Sequence, residues 1–197
     1  MTGIEDVDAW EVLDSRGDPT VRVRVRAGAA SGTFTVPSGA STGAHEAHER
    51  RDGGDRFGGA GVGEAVDAAA GELAEAVVGM DVGVQAEVDA VLVDTDGTAD
   101  LSRLGANAVL GVSGAVAHAG AAARDQPLYR HLAPDGPGAL PLPMVNLLSG
   151  GLHAGGGIPI QDVLVVPVGA TCYLEALETV HAVRTALRER IVAEGNR

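Results

Sequence analysis

The alternation of apolar and polar residues predicts a β-hairpin near the amino terminus. Residues 20–26 read TVRVRVR, so the valines share one face of an extended chain and the arginines share the other. Residues 31–36, SGTFTV, follow a short AGAA segment and have the composition of a partner strand. We therefore expect a half-buried hairpin whose valine face covers the core.

Helical spacing of apolar residues dominates the next part of the chain. It runs from Gly61 to Met80, and further helices are expected over residues 84–93 and about 104–124. Residues 104–123 carry no charge and are long enough to cross a bilayer. Their four glycines, one asparagine, one serine and one histidine make them too polar for a membrane span. We expect a buried core helix and no membrane partner.

A proline-rich segment then separates two regions of different pattern. Residues 133–143, APDGPGALPLP, contain four prolines and predict a linker. The apolar runs 144–148 and 163–168 predict strands covered on both faces, as in a parallel barrel. The sequence thus predicts a small α+β domain over residues 1–135 and, over 136–197, the start of a larger α/β domain.

A final amphipathic helix is expected after the second apolar run. Thr171 is placed to cap its amino terminus. Its apolar face is predicted to consist of Leu177, Val180, Val183, Leu187 and Ile191.

Composition narrows the classes of function. The 197 residues carry a net charge of −13, which disfavours nucleic acids and anionic membranes because their phosphates would be repelled. Cys172 is the single cysteine, so an internal disulfide is excluded. The amino-terminal residues lack the apolar stretch of a signal peptide, and a cytoplasmic location is the expectation. All 14 basic side chains are arginines and there is no lysine.

Two glycine-containing loops are candidates for chemistry. Residues 36–43 follow the hairpin with small residues and three hydroxyls, which suits a ligand-binding loop but also a simple tight turn. Residues 147–162 place His153 among five glycines, with Asp162 nine residues later, between two predicted strands. Loops at the carboxyl ends of barrel strands deliver active-site groups. A structural histidine and a solvated acid are the alternatives.

Nine segments of the chain, in one consistent order and spacing, resemble the enolase family, the phosphopyruvate hydratases of glycolysis. They cover nearly the whole sequence and include LDSRGDPTV (13–21), VPSGASTGAHEA (36–47), LPMVNLLSGGLHAGG (142–156) and IQD (160–162). The remaining segments are RDGG (51–54), RFGGAGV (56–62), DGT (96–98), LGANAVLGVS (104–113) and PLYRHL (127–132). The resemblance implies an enolase-like α+β capping domain followed by the first strands and helix of an incomplete α/β (TIM-type) barrel.

The resemblance also implies roles for particular residues. The small-residue loop corresponds to a mobile lid, in which Gly39, Ala40 and Ser41 bind substrate and Ser41 coordinates a second, substrate-dependent Mg²⁺. His153 corresponds to a histidine near the phosphate and the leaving hydroxyl. Gln161 would contact substrate, and Asp162 stands where the family has a catalytic glutamate. The implied reaction is the reversible dehydration of 2-phosphoglycerate to phosphoenolpyruvate.

Three departures from the family pattern qualify this expectation. The family's lysine base, its second glutamate and the carboxylate ligands of its primary Mg²⁺ would lie beyond residue 197, and arginine cannot replace a lysine base. Asp162 is one methylene shorter than the family's glutamate. Arg22 replaces an acid that often pairs with an arginine of the other subunit, which puts the usual homo-oligomer in question.

Three functions stay open from the sequence. The chain is one half of an enolase-type lyase that a second chain completes, and is inactive alone. Alternatively, it is a non-catalytic binding module with an enolase-like fold. A third possibility is half of an enzyme for a related phosphoenolpyruvate-type substrate.

Overall fold

The computed structural model describes residues 2–39, 43–136, 138–151 and 159–195. The chain divides into two compact units, unit 1 (Met1–Gly136) and unit 2 (Pro137–Arg197). Each unit has a sheet of its own.

Unit 1 is a three-stranded antiparallel sheet packed against helices, with strand order β1-β2-β3. Its strands are β1 (Asp6–Leu13), β2 (Pro19–Ala27) and β3 (Ala30–Thr35). Its helices are α1 (Gly63–Ala70), α2 (Glu72–Val77), α3 (Gln85–Asp96), α4 (Ala106–Ala123) and α5 (Leu128–Leu132). The core lies between the sheet and α4, which packs on β2 and β3.

The predicted hairpin is confirmed, and β2 shows why its sequence alternates. The fully buried valines of this strand are Val21, Val23 and Val25. On the opposite face, Arg24 and Arg26 lie 2.5 Å from the carboxylates of Asp8 and Asp6 on β1. The backbone pairing and the cross-strand ion pairs therefore specify the same register of β1 against β2.

Arg22 differs from the other two arginines of β2. Its Nε donates a hydrogen bond of 2.7 Å to Thr35 Oγ1 on β3, and in the part of the chain that the structure describes it has no carboxylate partner. Trp10 is its ladder neighbour on β1 and is 42% exposed.

The predicted core helix is confirmed as α4. It is the one helix among the described residues that is long and apolar enough to cross a membrane, and 61% of it is buried inside unit 1. Glycines let it approach the sheet closely: a β-carbon on Gly114 would lie 2.5 Å from the Phe34 ring, and one on Gly111 would lie 2.8 Å from Val23. Its small residues therefore serve helix–sheet packing.

The other elements of unit 1 refine the sequence expectations. The helical stretch predicted from Gly61 to Met80 is two helices, α1 and α2, because the backbone leaves helical geometry at Gly71. Strand β1 was not predicted, since Asp6 and Asp8 interrupt its apolar pattern and receive their partners only from β2. Helix α5, five residues long, is too short for periodicity to reveal.

Unit 2 contains β4 (Val145–Ser149), β5 (Asp162–Val165) and α6 (Tyr173–Ala193). The expectation of parallel strands is wrong for this pair, because β4 and β5 run antiparallel. Val163 and Leu164 of β5 are exposed in the described part of this unit. An apolar run signals that a strand can be buried, but it does not encode the direction of its neighbour.

The start of α6 also differs from the prediction. The residue preceding the helix is Cys172, whose side chain makes no capping bond. Instead, the backbone N–H and the hydroxyl of Thr171 both donate to Glu175 Oε2 at 2.7 Å. The carboxylate of Glu175, in the first turn, thus reaches back to Thr171, which resembles a capping box. These bonds lower the pKa of Glu175.

Of the predicted apolar face of α6, Val180 is buried in the structure, whereas Leu177 and Val183 are exposed.

Candidate functional site

The candidate residues fall in both units. Gly39 belongs to unit 1, whereas Gln161 and Asp162 belong to unit 2, and all three are exposed. Ala40, Ser41 and His153 lie outside the described residues.

The segment that leads into the small-residue loop is fixed to the sheet. Val36 N donates to Val21 O at 2.9 Å, which continues the ladder beyond β3. Thr20, which is 1% exposed, donates its hydroxyl to Val36 O at 2.7 Å. These bonds place Ser38 and Gly39 at one end of β2.

Arg16 holds the same segment from the other side. Its guanidinium donates to Ser38 O at 2.7 Å and to Gly39 O at 3.5 Å. Arg16 is presented by a tight turn, in which Asp14 Oδ1 accepts bonds from the N–H groups of Arg16 and Asp18 at 2.8 and 2.9 Å. The amides of Asp18 and Arg16 also lower the pKa of Asp14, so this turn keeps its anionic carboxylate.

A polar network lies beneath Ser38. The Ser38 hydroxyl donates to the Glu49 carboxylate at 3.2 Å, and Arg51 lies 2.5 Å from the same carboxylate. Arg51 also donates to Pro19 O and Ala60 O, both at 2.7 Å. Because Arg51 joins two backbone carbonyls to the Glu49 carboxylate, it fixes the base of the loop.

The segment that leaves the loop is fixed to the start of α4. His48 N donates to Asp100 O at 2.7 Å, and His48 O accepts a bond from Ala106 N at 2.8 Å. The Asn107 amide pairs with both backbone groups of Arg50, at 3.1 and 3.0 Å. Asn107 is 3% exposed, so this pairing is part of the buried structure.

An open recess of about 380 Å³ lies between these two anchored segments. It is lined by Gly39, Glu46, Ala47, His48, Glu49, Arg51 and Asp100. Three carboxylates against one guanidinium give the lining a net negative charge. The Ser102 hydroxyl is the main cause of the lowered pKa of Asp100, so that carboxylate stays ionised over a wider range of pH.

In unit 2, Asp162 is the first residue of β5 and pairs with Ser149 of β4. Its Oδ1 accepts a hydrogen bond of 2.6 Å from Asn146 Nδ2. Next to this pair, Gly150 N donates to Gln161 O at 2.6 Å and closes the base of the β4–β5 connection. A carboxylate in this setting can accept hydrogen bonds, bind a cation or carry a proton.

The described residues do not fit a primary metal site. Within residues 2–39, 43–136, 138–151 and 159–195, no three His, Cys, Asp or Glu side chains converge to hold an ion. The hydrogen-bond partner of the Asp162 carboxylate is an amide, that of Asn146.

Sequence reasoning gave no role to Arg16, Glu49, Arg51 or Asn146. Arg16 and Arg51 lie within the matched segments LDSRGDPTV and RDGG, and an arginine beside tight-turn residues was the available signal. The contact of Asn146 with Asp162 depends on the pairing of β4 with β5, and the sequence of one strand alone does not predict that pairing.

Comparison with known proteins covers the whole chain. The model of the enolase N-terminal domain matches residues 4–132, and that of the enolase C-terminal TIM barrel domain matches residues 137–197. A protein named Enolase from Kineococcus radiotolerans is 51% identical over 99% of this chain, and one from Acidothermus cellulolyticus is 49% identical over 99%. The chain spans 47% of the length of each. Because the N-terminal model alone covers well over half of its residues, this chain belongs to the enolase family.

Proposed function

We propose that this chain forms the amino-terminal capping domain, residues 1–135, and the start of the barrel, residues 136–197, of an enolase. The proposed reaction is the reversible dehydration of 2-phosphoglycerate to phosphoenolpyruvate. The observation that carries the proposal is the match at 51% identity, over 99% of the chain, to a protein named Enolase. A cytoplasmic location, with no nucleic-acid or membrane partner, accords with the net charge of −13.

The proposed roles follow the two loops. Gly39, Ala40 and Ser41 contact substrate, and the anchoring of Ser38 and Gly39 by Arg16 supports a loop with a fixed base. His153 and Asp162 act at the reacting end of the substrate. The resemblance assigns Ser41 to a second, substrate-dependent Mg²⁺, which would stabilise negative charge when bound.

The chain lacks the lysine that the resemblance implies as the base of the reaction. Arginine cannot replace that lysine, because a base must lose its proton near neutral pH and arginine stays protonated there. The sequence has no lysine, and its described carboxylates form no metal cluster. We therefore propose that activity requires the remaining barrel from a second polypeptide segment.

The test is reconstitution. The 197-residue chain is mixed with a polypeptide comprising the part of the Kineococcus radiotolerans relative that this chain does not match, and phosphoenolpyruvate formation with Mg²⁺ is followed by absorbance. We expect no turnover from either polypeptide alone and measurable turnover from the mixture.

Two matched variants sharpen the result. Asp162→Asn removes the proposed active-site charge and should lower kcat by about 10²-fold or more, the range for loss of a general acid or base. Asp67→Asn makes the same chemical change at an exposed position of α1 and should leave turnover unchanged. An inactive mixture that also fails to bind 2-phosphoglycerate in calorimetry would contradict the proposal.

A related substrate is the second candidate. Asp162 carries its carboxylate one methylene closer to the backbone than a glutamate, and a displacement of roughly 1 Å in a reacting group can cost about 10²-fold in rate. Turnover of an analogue with a longer leaving-group side, together with poor turnover of 2-phosphoglycerate, would favour this candidate. Both substrates belong in the same assay.

A further inference from the structure

The side-chain amide of Asn146 connects the two strands of unit 2. Its Nδ2 lies 2.6 Å from Asp162 Oδ1 and 2.6 Å from Ser149 Oγ. An amide nitrogen carries two hydrogens, so it can donate both bonds at the same time. One side chain thus holds the carboxylate of β5 and the hydroxyl of β4 together.

A register irregularity makes this contact possible. Asn146 pairs with Leu164, Leu148 with Val163 and Ser149 with Asp162, so Leu147 is an extra residue in β4. In a regular strand, residues three apart point to opposite faces. Because Leu147 has no partner on β5, Asn146 and Ser149 lie opposite residues only two apart and therefore on one face. Bulges commonly redirect side chains in this way.

The partners of these two residues also share a face of β5. Leu164 and Asp162 are two residues apart and share a face of β5. Since Asn146 pairs with Leu164, and Ser149 with Asp162, the asparagine and the aspartate are diagonal neighbours on that face. The pairing of β4 with β5 therefore accounts for the side-chain bond.

The bond constrains only one carboxylate oxygen. Oδ1 of Asp162 is engaged by Asn146, and no hydrogen bond to Oδ2 occurs among the described residues. A carboxylate held at one oxygen has a fixed side-chain orientation and still presents the other oxygen to a ligand. This is the arrangement that a proton-carrying or charge-stabilising group requires.

We propose that Asn146 is a positioning residue, which sets the orientation of the Asp162 carboxylate through the bulge at Leu147. The proposal rests on the proposed function in one respect, namely that Asp162 acts on the substrate. A glutamate would carry its carboxylate one methylene further out, so its carboxylate would have to take a different orientation to reach Asn146.

The first test needs no activity. Three-bond NMR couplings of Asp162 in the 197-residue chain report its χ1 rotamer. We expect one rotamer in the unsubstituted chain, averaged couplings in Asn146→Ala, and a single rotamer in Ser149→Ala, which removes the other acceptor. Cross-strand contacts between Val145 and Val165 show in each variant whether the ladder is intact. Unchanged Asp162 couplings in Asn146→Ala, with the ladder intact, would overturn the proposal.

The second test uses the reconstituted enzyme. Asn146→Ala should lower kcat by about 10-fold to 10²-fold with little change in KM, because the carboxylate is misplaced but substrate binding is retained. Asn146→Gln, which keeps an amide donor, should recover part of kcat. An averaged rotamer with unchanged kcat would also overturn the positioning role. If the unsubstituted mixture is inactive and also fails to bind 2-phosphoglycerate, the proposed function fails, and the couplings alone decide whether Asn146 orients Asp162.

Discussion

The two units of this chain bury their apolar residues to very different extents. Unit 1 has a continuous core in which residues from the sheet and from α1 to α4 are fully buried. In the described part of unit 2, the buried apolar side chains are Ala176 and Val180 on α6, together with Pro167. Leu164 on β5 and Leu174 on α6 are 47% and 65% exposed. Unit 1 thus carries its own core, whereas unit 2 has strand and helix faces that need a further covering layer.

This difference in burial determines how many elements a substitution affects in each unit. A two-stranded hairpin is at best marginally stable without a third strand or a packed helix. Among the described residues of unit 2, the contact of α6 with β4 or β5 is weak at most. In unit 1, by contrast, α4 touches two strands and four helices, so substitutions there act on several elements at once.

The largest expected effect comes from Gly32 of β3, at the contact with α4. A β-carbon there would overlap the backbone of Ala115 and Ala119, which cannot move as a flexible side chain can. We expect Gly32→Ala to destabilise unit 1 by about 4 kcal/mol or more, in the exceptional range for a point substitution. Chemical denaturation followed by circular dichroism measures this.

The matched control is Gly169→Ala in unit 2. No heavy atom lies within 4 Å of a β-carbon built there, so the change should stay within about 0.5 kcal/mol. Equal effects at the two glycines would contradict the view that close helix–sheet approach is confined to unit 1.

A pair of leucines tests the comparison through burial. Leu92 on α3 is fully buried, and Leu92→Ala should cost about 3 kcal/mol, through lost transfer energy and the cavity left behind. Leu164→Ala should cost less than about 1 kcal/mol in the chain alone, because nearly half of that side chain is already exposed. Unfolding midpoints give both values.

The reconstituted mixture then sharpens this result. If the second polypeptide covers β5, Leu164→Ala should weaken association of the two polypeptides, while Leu92→Ala should leave the association constant unchanged. Titration calorimetry separates the two outcomes. Identical behaviour of Leu164→Ala with and without the second polypeptide would mean that this strand face stays uncovered.

Much of unit 1 could be predicted from sequence because its signals are local. The valine alternation of β2 and the uncharged, alanine-rich α4 each show their burial within one segment. Strand β1 was missed because Asp6 and Asp8 read as polar until their ion pairs with Arg26 and Arg24 are known. The acidic residues of β1 are thus neutralised by arginines of β2, and the sequence pattern of β1 alone does not show this pairing.

The candidate site divides in the same way. Motif matches pointed to Gly39, Gln161 and Asp162, but the contacts of these residues come from distant parts of the chain. Arg16 reaches Ser38 across 22 residues, and Asn146 reaches Asp162 across 16. The antiparallel pairing of β4 and β5 and the bulge at Leu147 are properties of two strands together, so neither apolar run predicts them.

A smaller effect is expected from pH, again in unit 1. His131 on α5 is 7% exposed and its Nε2 has no partner among the described residues. Burial, and then the nearby Arg124, lower the pKa of His131 below its usual value. The unfolded chain then binds more protons than the fold, so stability is full above about pH 6.5, the ordinary histidine value, and falls as the pH drops below it.

Denaturation between pH 7.5 and 5 tests this dependence. His131→Gln should flatten the stability curve in that range, whereas His181→Gln, at an exposed position of α6, should preserve it. A curve that flattens only in the His181 variant would assign the pH dependence to unit 2.

The smallest expected effect concerns two arginines that each pair with a glutamate. Arg190 on α6 lies 3.1 Å from Glu194 one turn away, and both side chains are more than half exposed, so solvent and salt screen the pair. Arg103 in unit 1 pairs with Glu72 and in addition donates to the backbone carbonyls of Thr95 and Asp96, which end α3. The free energy of unfolding of Arg190→Ala should therefore equal that of the unsubstituted chain. Arg103→Ala should lower this free energy measurably, since it leaves helix-terminal carbonyls without their donor.

Repeating both unfolding measurements at 1 M salt separates the two contributions of Arg103. Salt screens the ion pair with Glu72 but not the two bonds to backbone carbonyls, so the loss of stability in Arg103→Ala should persist. An Arg103 effect that disappears in salt would show that the two units stabilise their surface charges alike, and that they differ in their apolar cores alone.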